Sequence, residues 1–285
     1  MNRKSINIDG HEIGEKNQTY IVAEIGINHG GDLDKAIKLI DEAKSAGANA
    51  VKMQSYLTEK RVAVDSPIFK ILKDAELSFD QQEKCIKHGK NEGITIFSTP
   101  FDDESVDFLE SVNCPAYKIA SFDTVNHSLL RKVASTKKPV IMSTGMTNVK
   151  ELGDAWKSLG GKDDGSGCEL ALLHCISSYP TPSKEANLSL INLLKTYHSG
   201  PVGYSDHTIG VEIPVMAVAS GAKIIEKHFT LNTQDEGPDH ALSADPSTLT
   251  EMVKNIRRME TILGKPEMRL REIEQQIKPY RRHTD

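Results

Sequence analysis

The strongest constraint on this chain is an alternation that runs through most of its length. Eight β-rich runs, YIVAEIG, NAVKMQ, ITIFSTP, AYKIAS, PVIMSTG, LALLHCIS, PVGYSD and KIIEKHF, are separated by polar or Gly-containing loops and by segments that read as helices. In DLDKAIKLIDEAKSAG, Leu33, Ile37 and Ile40 recur at helical intervals and Gly47 follows as a C-cap. NEG before ITIF and SGA before KII repeat the same helix–glycine–strand punctuation. Strands alternating with helices predict a parallel sheet, and eight such units in 285 residues predict a (β/α)8 TIM barrel. A doubly wound open sheet is the competing α/β fold, because periodicity carries no information about closure.

The flanks add detail. SINIDGHEIG alternates around Asp9-Gly10 and predicts a short N-terminal β-hairpin at about residues 5–14. Residues 1–265 are expected to form one barrel domain, and residues 266–285 a charged C-terminal extension with no second domain. Residues 55–79 make a long first connection carrying Tyr56, Pro67 and Phe69, and at the catalytic end of a barrel it is expected to act as a lid. Asp102 and Asp103 suit a helix N-terminus, and Pro180 and Pro182 stiffen the loop that carries Tyr179. GKDDGSG lacks the Lys-Ser/Thr of a phosphate loop and is expected to be a surface turn.

Composition narrows the class. With 26% charged and 38% hydrophobic residues the chain reads as globular. A net charge of -5 weighs against nucleic acid as a partner. No apolar run reaches the roughly 18 residues of a membrane span, and the N-terminus lacks the apolar core of a signal peptide. Cys85, Cys114, Cys168 and Cys175 show no metal spacing, which fits a reducing cytoplasm.

Chemistry concentrates where a barrel places it, at the C-terminal strand ends. The runs end in Glu24, in Lys52 and Gln54, in Thr99, in Lys118 and Ser121, in Ser143, in Ser177 and Tyr179, in Ser205 and His207, and in Glu226 and His228. Residues two apart on a strand share a face, so Glu226 pairs with His228 while Lys227 points toward the helices. Any one of these residues alone reads as a rim or structural group. Two lysines, two histidines and two glutamates converging on one mouth would be costly as decoration. His207 and His228 are candidates to hold a divalent metal, although two histidines without a fixed spacing are a weak signal. Lys52 and Lys118 suit a small, highly anionic substrate.

The motifs AEIGINHGG, VKMQ, FSTPFD, YKIAS, STGM, LHCISSYPTP, GYSDHTIG, EKHFTL and GPDHALSADP, in order over roughly residues 15–265, resemble the catalytic barrel of the N-acetylneuraminate (sialic acid) synthase family. The resemblance implies condensation of phosphoenolpyruvate with N-acetylmannosamine or a related N-acylated aldose, giving a nonulosonic acid and phosphate. Related readings are a synthase for legionaminic, pseudaminic or another 2-keto-3-deoxy sugar acid, or a non-catalytic sugar-phosphate-binding barrel. A metal-dependent hydrolase would want more His or Asp ligands. By motif, Lys52, Thr99, Lys118, Ser121, Ser143 and Ser205 look like phosphoenolpyruvate contacts, and Gln54, Tyr179 and Asp239 like sugar contacts. His207 and His228 look like ligands of a divalent metal, typically Mn2+, and Glu24 and Glu226 like groups that move protons or orient water and sugar. Asp123 stands where the family often has Glu, and Ser177 where it often has Asn; both are expected near the substrate. The family usually continues into a small antifreeze-like domain that packs over the partner's site in a homodimer, whereas this chain stops at PYRRHTD.

Overall fold

The computed structural model describes residues 4–161 and 167–282. The expectation for GKDDGSG falls mainly on residues 162–166, outside the described residues. The chain opens with antiparallel strands β1 (Ile6–Ile8) and β2 (His11–Ile13), Ile6 facing Ile13. The turn needs positive φ at both central residues, and Asp9 at 52° with Gly10 at 83° supplies it. Thr95 Oγ1 donates to Asp9 Oδ2 at 3.1 Å, so the hairpin sits at the N-terminal end of the barrel, away from the mouth.

The barrel strands are β3 (Tyr20–Gly26), β4 (Ala50–Ser55), β5 (Thr95–Pro100), β6 (Tyr117–Ile119), β7 (Val140–Ser143), β8 (Leu170–His174), β9 (Val202–Asp206) and β10 (Ile224–His228). They pair in parallel and in order, and β10 closes on β3 with Ile224 beside Tyr20 and His228 beside Glu24. That last pairing excludes the open sheet. The helices are α1 (Leu33–Ser45), α2 (Thr58–Arg61), α3 (Phe69–Asp74), α4 (Phe79–Glu92), α5 (Asp103–Ser111), α6 (His127–Ser135), α7 (Val149–Ser158), α8 (Ser189–Tyr197), α9 (Glu212–Ala219) and α10 (Pro246–Leu263). Among the described residues no helix is long and apolar enough to cross a membrane.

Local chemistry sets the helix starts. Ser78 and Gln81 form a reciprocal capping box at α4. Asp102, as expected at a helix start, accepts from Ser105 N at 2.7 Å; its other oxygen accepts from Leu57 N at 2.8 Å. The same carboxylate thereby anchors the long 55–79 connection.

That connection folds over the mouth as α2 and α3 with their flanking turns. Glu76 Oε2 accepts from Thr58 N at 2.8 Å, and Tyr56 Oη donates to the Leu72 carbonyl at 2.9 Å. Gly31, in the loop after β3, packs so closely that a Cβ there would stand 2.4 Å from the Asp74 carbonyl oxygen. Beyond α10, the described side chains from Gly264 onward are exposed and add nothing to the core.

Candidate active site

Strand parity delivers the polar strand ends to one cavity of about 320 Å³ at the C-terminal mouth. Glu24, Lys52, Gln54, Thr99, Lys118, Ser121, Ser143, Tyr179, Ser205, His207, Glu226, His228 and Asp239 all line it. Lys227 does not. Its side chain points the other way, as strand parity predicts, and is buried against Asp206 at 2.6 Å.

The floor is a charge network. Glu24 Oε2 pairs with Lys52 Nζ at 2.6 Å, and Lys52 also donates to Thr99 Oγ1 at 3.1 Å. Lys118 Nζ donates to Ser143 Oγ at 2.6 Å and to the Ile119 carbonyl at 3.1 Å. Glu226 Oε1 stands between the two ammonium groups, 3.9 Å from Lys52 and 3.8 Å from Lys118, and accepts from Ser205 Oγ at 3.0 Å. Glu226 Oε2 is buried and has no hydrogen-bond partner among the described residues.

Electrostatics follow from that placement. Burial opposes the charge on Lys52, but Glu226 and Glu24 outweigh it and hold its pKa above the ordinary lysine value. Lys118 is shifted down, by burial first, with Glu226 offsetting only part of that cost. Burial also opposes the Glu226 charge, yet Lys118 and then Lys52 hold its pKa below the usual carboxylate value. The two lysines and two glutamates of the floor cancel in formal charge. A multiply anionic ligand therefore gains from a further cation beside them.

His207 and His228 face each other with ring centroids 5.5 Å apart. His207 Nδ1 hydrogen-bonds the Ile176 carbonyl at 2.8 Å, which fixes the proton on Nδ1 and leaves Nε2 as a lone-pair donor. Burial, then His228, push the His207 pKa down to about 3, so the ring is neutral as a metal ligand must be. His228 Nδ1 is buried without a hydrogen bond, with Asp239 Oδ2 at 3.5 Å. Two facing imidazoles fit a divalent cation whose remaining positions go to water or substrate oxygens. Among the described residues no group of three or more His, Cys, Asp or Glu is placed to hold a metal ion by itself. The Tyr179 ring lies over His207 at 4.3 Å, in a loop that contains the cis Tyr179-Pro180 bond.

Two expected substrate neighbours stand outside the lining itself. Asp123 and Ser177 are absent from the cavity lining. β6 ends at Ile119, and the turn Ser121–Asp123 carries Asp123 toward Asn126, whose Nδ2 donates to it at 3.1 Å. Burial shifts the Asp123 pKa up. Ser177 lies three residues past the end of β8, its Oγ buried without a partner. Ser121 remains in the lining and accepts from Gly145 N at 3.0 Å.

Sequence reasoning missed a second set of lining residues: Arg61, Ile68 and Ile71 from the long connection, and Phe101, Phe122 and Cys175 from strand-end loops. The 55–79 connection carries four cations, Lys60, Arg61, Lys70 and Lys73, and nothing in the sequence singles out Arg61 among them.

Comparison with known proteins agrees with this architecture. The model of the NeuB family matches residues 39–268. The chain belongs to the NeuB family. An uncharacterized protein of Methanocaldococcus jannaschii is 48% identical to this NeuB chain over 265 residues, covering 93% of it and 77% of the relative. An N,N'-diacetyllegionaminic acid synthase of Campylobacter jejuni is 39% identical, covering 87% of the chain and 78% of that enzyme. Among solved structures, an N-acetylneuraminic acid (sialic acid) synthetase from Leptospira borgpetersenii, in complex with citrate, superposes with a TM-score of 0.92. It is 38% identical, covering 98% of this chain and 96% of that one. That synthetase structure covers nearly all of this chain, whereas the family model itself begins at residue 39.

Proposed function

We propose that this NeuB-family barrel is a sugar-acid synthase that joins phosphoenolpyruvate to an N-acylated aldose, releasing phosphate. The observation that carries the reading is Glu226, held between Lys52 and Lys118 on the floor of a cavity ringed by Thr99, Ser143 and Ser205 hydroxyls. Buried ammonium groups flanked by hydroxyl donors suit the carboxylate and phosphate of a small enol phosphate.

In the reaction, the enol carbon of phosphoenolpyruvate attacks the aldehyde carbon of the open-chain sugar, and the new alkoxide takes a proton. Water adds to the carbon that bears the phosphate, and phosphate leaves from the resulting hemiketal. Lys52 and Lys118 hold the phosphoenolpyruvate anion and fix its enol face toward the acceptor. Glu226 and Glu24, each tied to a lysine, are the carboxylates available to accept a proton from the attacking water. Gln54, whose Nε2 donates to Glu24 Oε1 at 2.9 Å, orients that carboxylate and faces the sugar. Tyr179 and Asp239 line the acceptor side beside the histidines. His207 and His228 would hold a divalent cation such as Mn2+, which when bound supplies Lewis-acid polarisation of the aldehyde.

Relatives carry the names N,N'-diacetyllegionaminic acid synthase at 39% and 38% identity, pseudaminic acid synthase at 36% and N-acetylneuraminate-9-phosphate synthase at 33%. The acceptor is therefore drawn from N-acylated aldoses in this reading. Purified protein is mixed with phosphoenolpyruvate, MnCl2 and a panel comprising N-acetylmannosamine, its 6-phosphate, mannose and di-N-acetylated trideoxy aldoses. Phosphate and 2-keto acid are followed together. Equimolar appearance of both with one acceptor is expected; no phosphate release with any of them overturns the reading.

A further inference from the structure

One cation in the cavity comes from outside the strands. Arg61, the last residue of α2, lays its guanidinium over the Phe101 ring, with its carbon 3.7 Å from the centroid and 4.6 Å from that of Tyr56. Its Nη1 donates to Gln54 Oε1 at 3.0 Å, and Gln54 in turn donates to Glu24. Arg61 therefore ends a chain running Arg61–Gln54–Glu24–Lys52 from the mouth to the floor.

Two features separate Arg61 from the floor lysines. First, no carboxylate pairs with it among the described residues; Asp123, Asp239 and Glu24 act on it only at longer range. Second, ring stacking and one hydrogen bond fix its plane, so most of its donor fork is left for a ligand at small further entropic cost. Its surroundings are apolar: Ile68, Ile71 and Phe122 line the same cavity and are part-exposed at the mouth. A planar donor group beside apolar side chains matches a planar acceptor group that carries a methyl. The longer-range carboxylates oppose a second anionic substituent at this end of the cavity.

We propose that Arg61 is an acceptor-specificity residue, whose guanidinium binds the carbonyl oxygen of an uncharged acylamino substituent on the sugar while Ile68 and Ile71 cover its methyl group. The assignment rests on the synthase reading above and deepens it, naming an acylamino rather than a phosphorylated handle as what the lid recognises. Gln54, fixed by both Arg61 and Glu24, relays that contact to the reacting end of the sugar.

The test compares wild type with Arg61→Met and Arg61→Lys, using phosphoenolpyruvate, MnCl2, the best acceptor of the panel, mannose and N-acetylmannosamine 6-phosphate. Circular dichroism checks that each variant is folded. Arg61→Met is expected to raise the KM of the N-acylated acceptor by ~10- to 100-fold, the scale of one lost charge-assisted hydrogen bond. The KM of phosphoenolpyruvate stays within about twofold, mannose loses little, and Arg61→Lys recovers only part of the loss, since an ammonium cannot stack as a planar fork does. An unchanged acceptor KM, an equal rise in the phosphoenolpyruvate KM, or a larger loss for the 6-phosphate than for the neutral acceptor overturns the role of Arg61 while the synthase reading stands. Absence of turnover by wild type with every acceptor overturns the synthase reading, and the role of Arg61 with it.

Discussion

Lys227 Nζ and Asp206 Oδ2 lie 2.6 Å apart, across neighbouring strands and on the face of the wall opposite the cavity. Both side chains are fully buried, and Asp206 Oδ1 also accepts from Thr208 N and Oγ1, while Lys227 donates to the Thr208 carbonyl. The pair pins the loop after β9, which carries His207, to β10. Lys227→Met leaves a buried carboxylate without its cation and is expected to cost about 3–5 kcal/mol in urea denaturation. Adding Asp206→Leu should return most of that stability. A single-variant cost below about 1 kcal/mol would remove the pair from any structural role.

Lys118 tests the floor. Its ammonium has Ser143, the Ile119 carbonyl and Glu226 as neighbours, and its removal leaves Lys52 facing both Glu24 and Glu226. Lys118→Ala should lose at least about 100-fold in turnover with phosphoenolpyruvate, the scale of one lost electrostatic group at a reacting centre, and circular dichroism checks that it is folded. Near-wild-type turnover by the folded variant would sink its assignment to the phosphoenolpyruvate subsite.

Metal dependence should track the two histidines. Treatment with EDTA is expected to abolish synthase activity and MnCl2 to restore it. His228→Ala should raise the Mn2+ concentration needed for half-maximal restoration by ~10-fold or more. Calorimetric titration with MnCl2 gives a second readout that does not depend on turnover. Equal Mn2+ affinity in wild type and variant would separate His228 from the metal.

His29 offers a pH test away from the reacting groups. Burial pushes its pKa down from 6.5 to about 4, and its Nδ1 accepts from Gly31 N at 3.2 Å, which requires the neutral ring. The unfolded chain therefore takes up a proton at higher pH than the folded one does. The stability from the neutral ring is fully present above about pH 6.5 and is lost as pH falls through about 4. The loss is on the order of 3 kcal/mol. His29→Gln should flatten the urea midpoint between those pH values. A variant that keeps the full wild-type slope would place the titration elsewhere.

Much of the site is legible along the chain because strand periodicity is local. The run IIEKH already splits Glu226 and His228 from Lys227, and the structure places the first two in the cavity and the third against Asp206. Lys52 with Gln54 and Ser205 with His207 follow the same parity into the lining. Asp123 and Ser177 were harder, because both lie past the last regular strand residue, where alternation no longer dictates direction. Arg61 was invisible for a related reason: α2 has four residues, too few to show a period, and it belongs to a connection whose path depends on distant anchors.

The sequence by itself determined eight strand–helix units, the polar character of the strand ends and the side of the wall each of those residues takes. Those properties follow from backbone alternation and hydrophobic period, which neighbouring residues decide among themselves. Only the tertiary structure decided that β10 closes on β3, which sets His228 beside Glu24, and that Glu226 comes between Lys52 and Lys118. It also decided that Asp102 and Gly31 hold the long connection over the mouth, so that Arg61 stacks on Phe101. Such pairings join residues far apart in the chain, and their energy depends on strand closure and burial that no local pattern encodes.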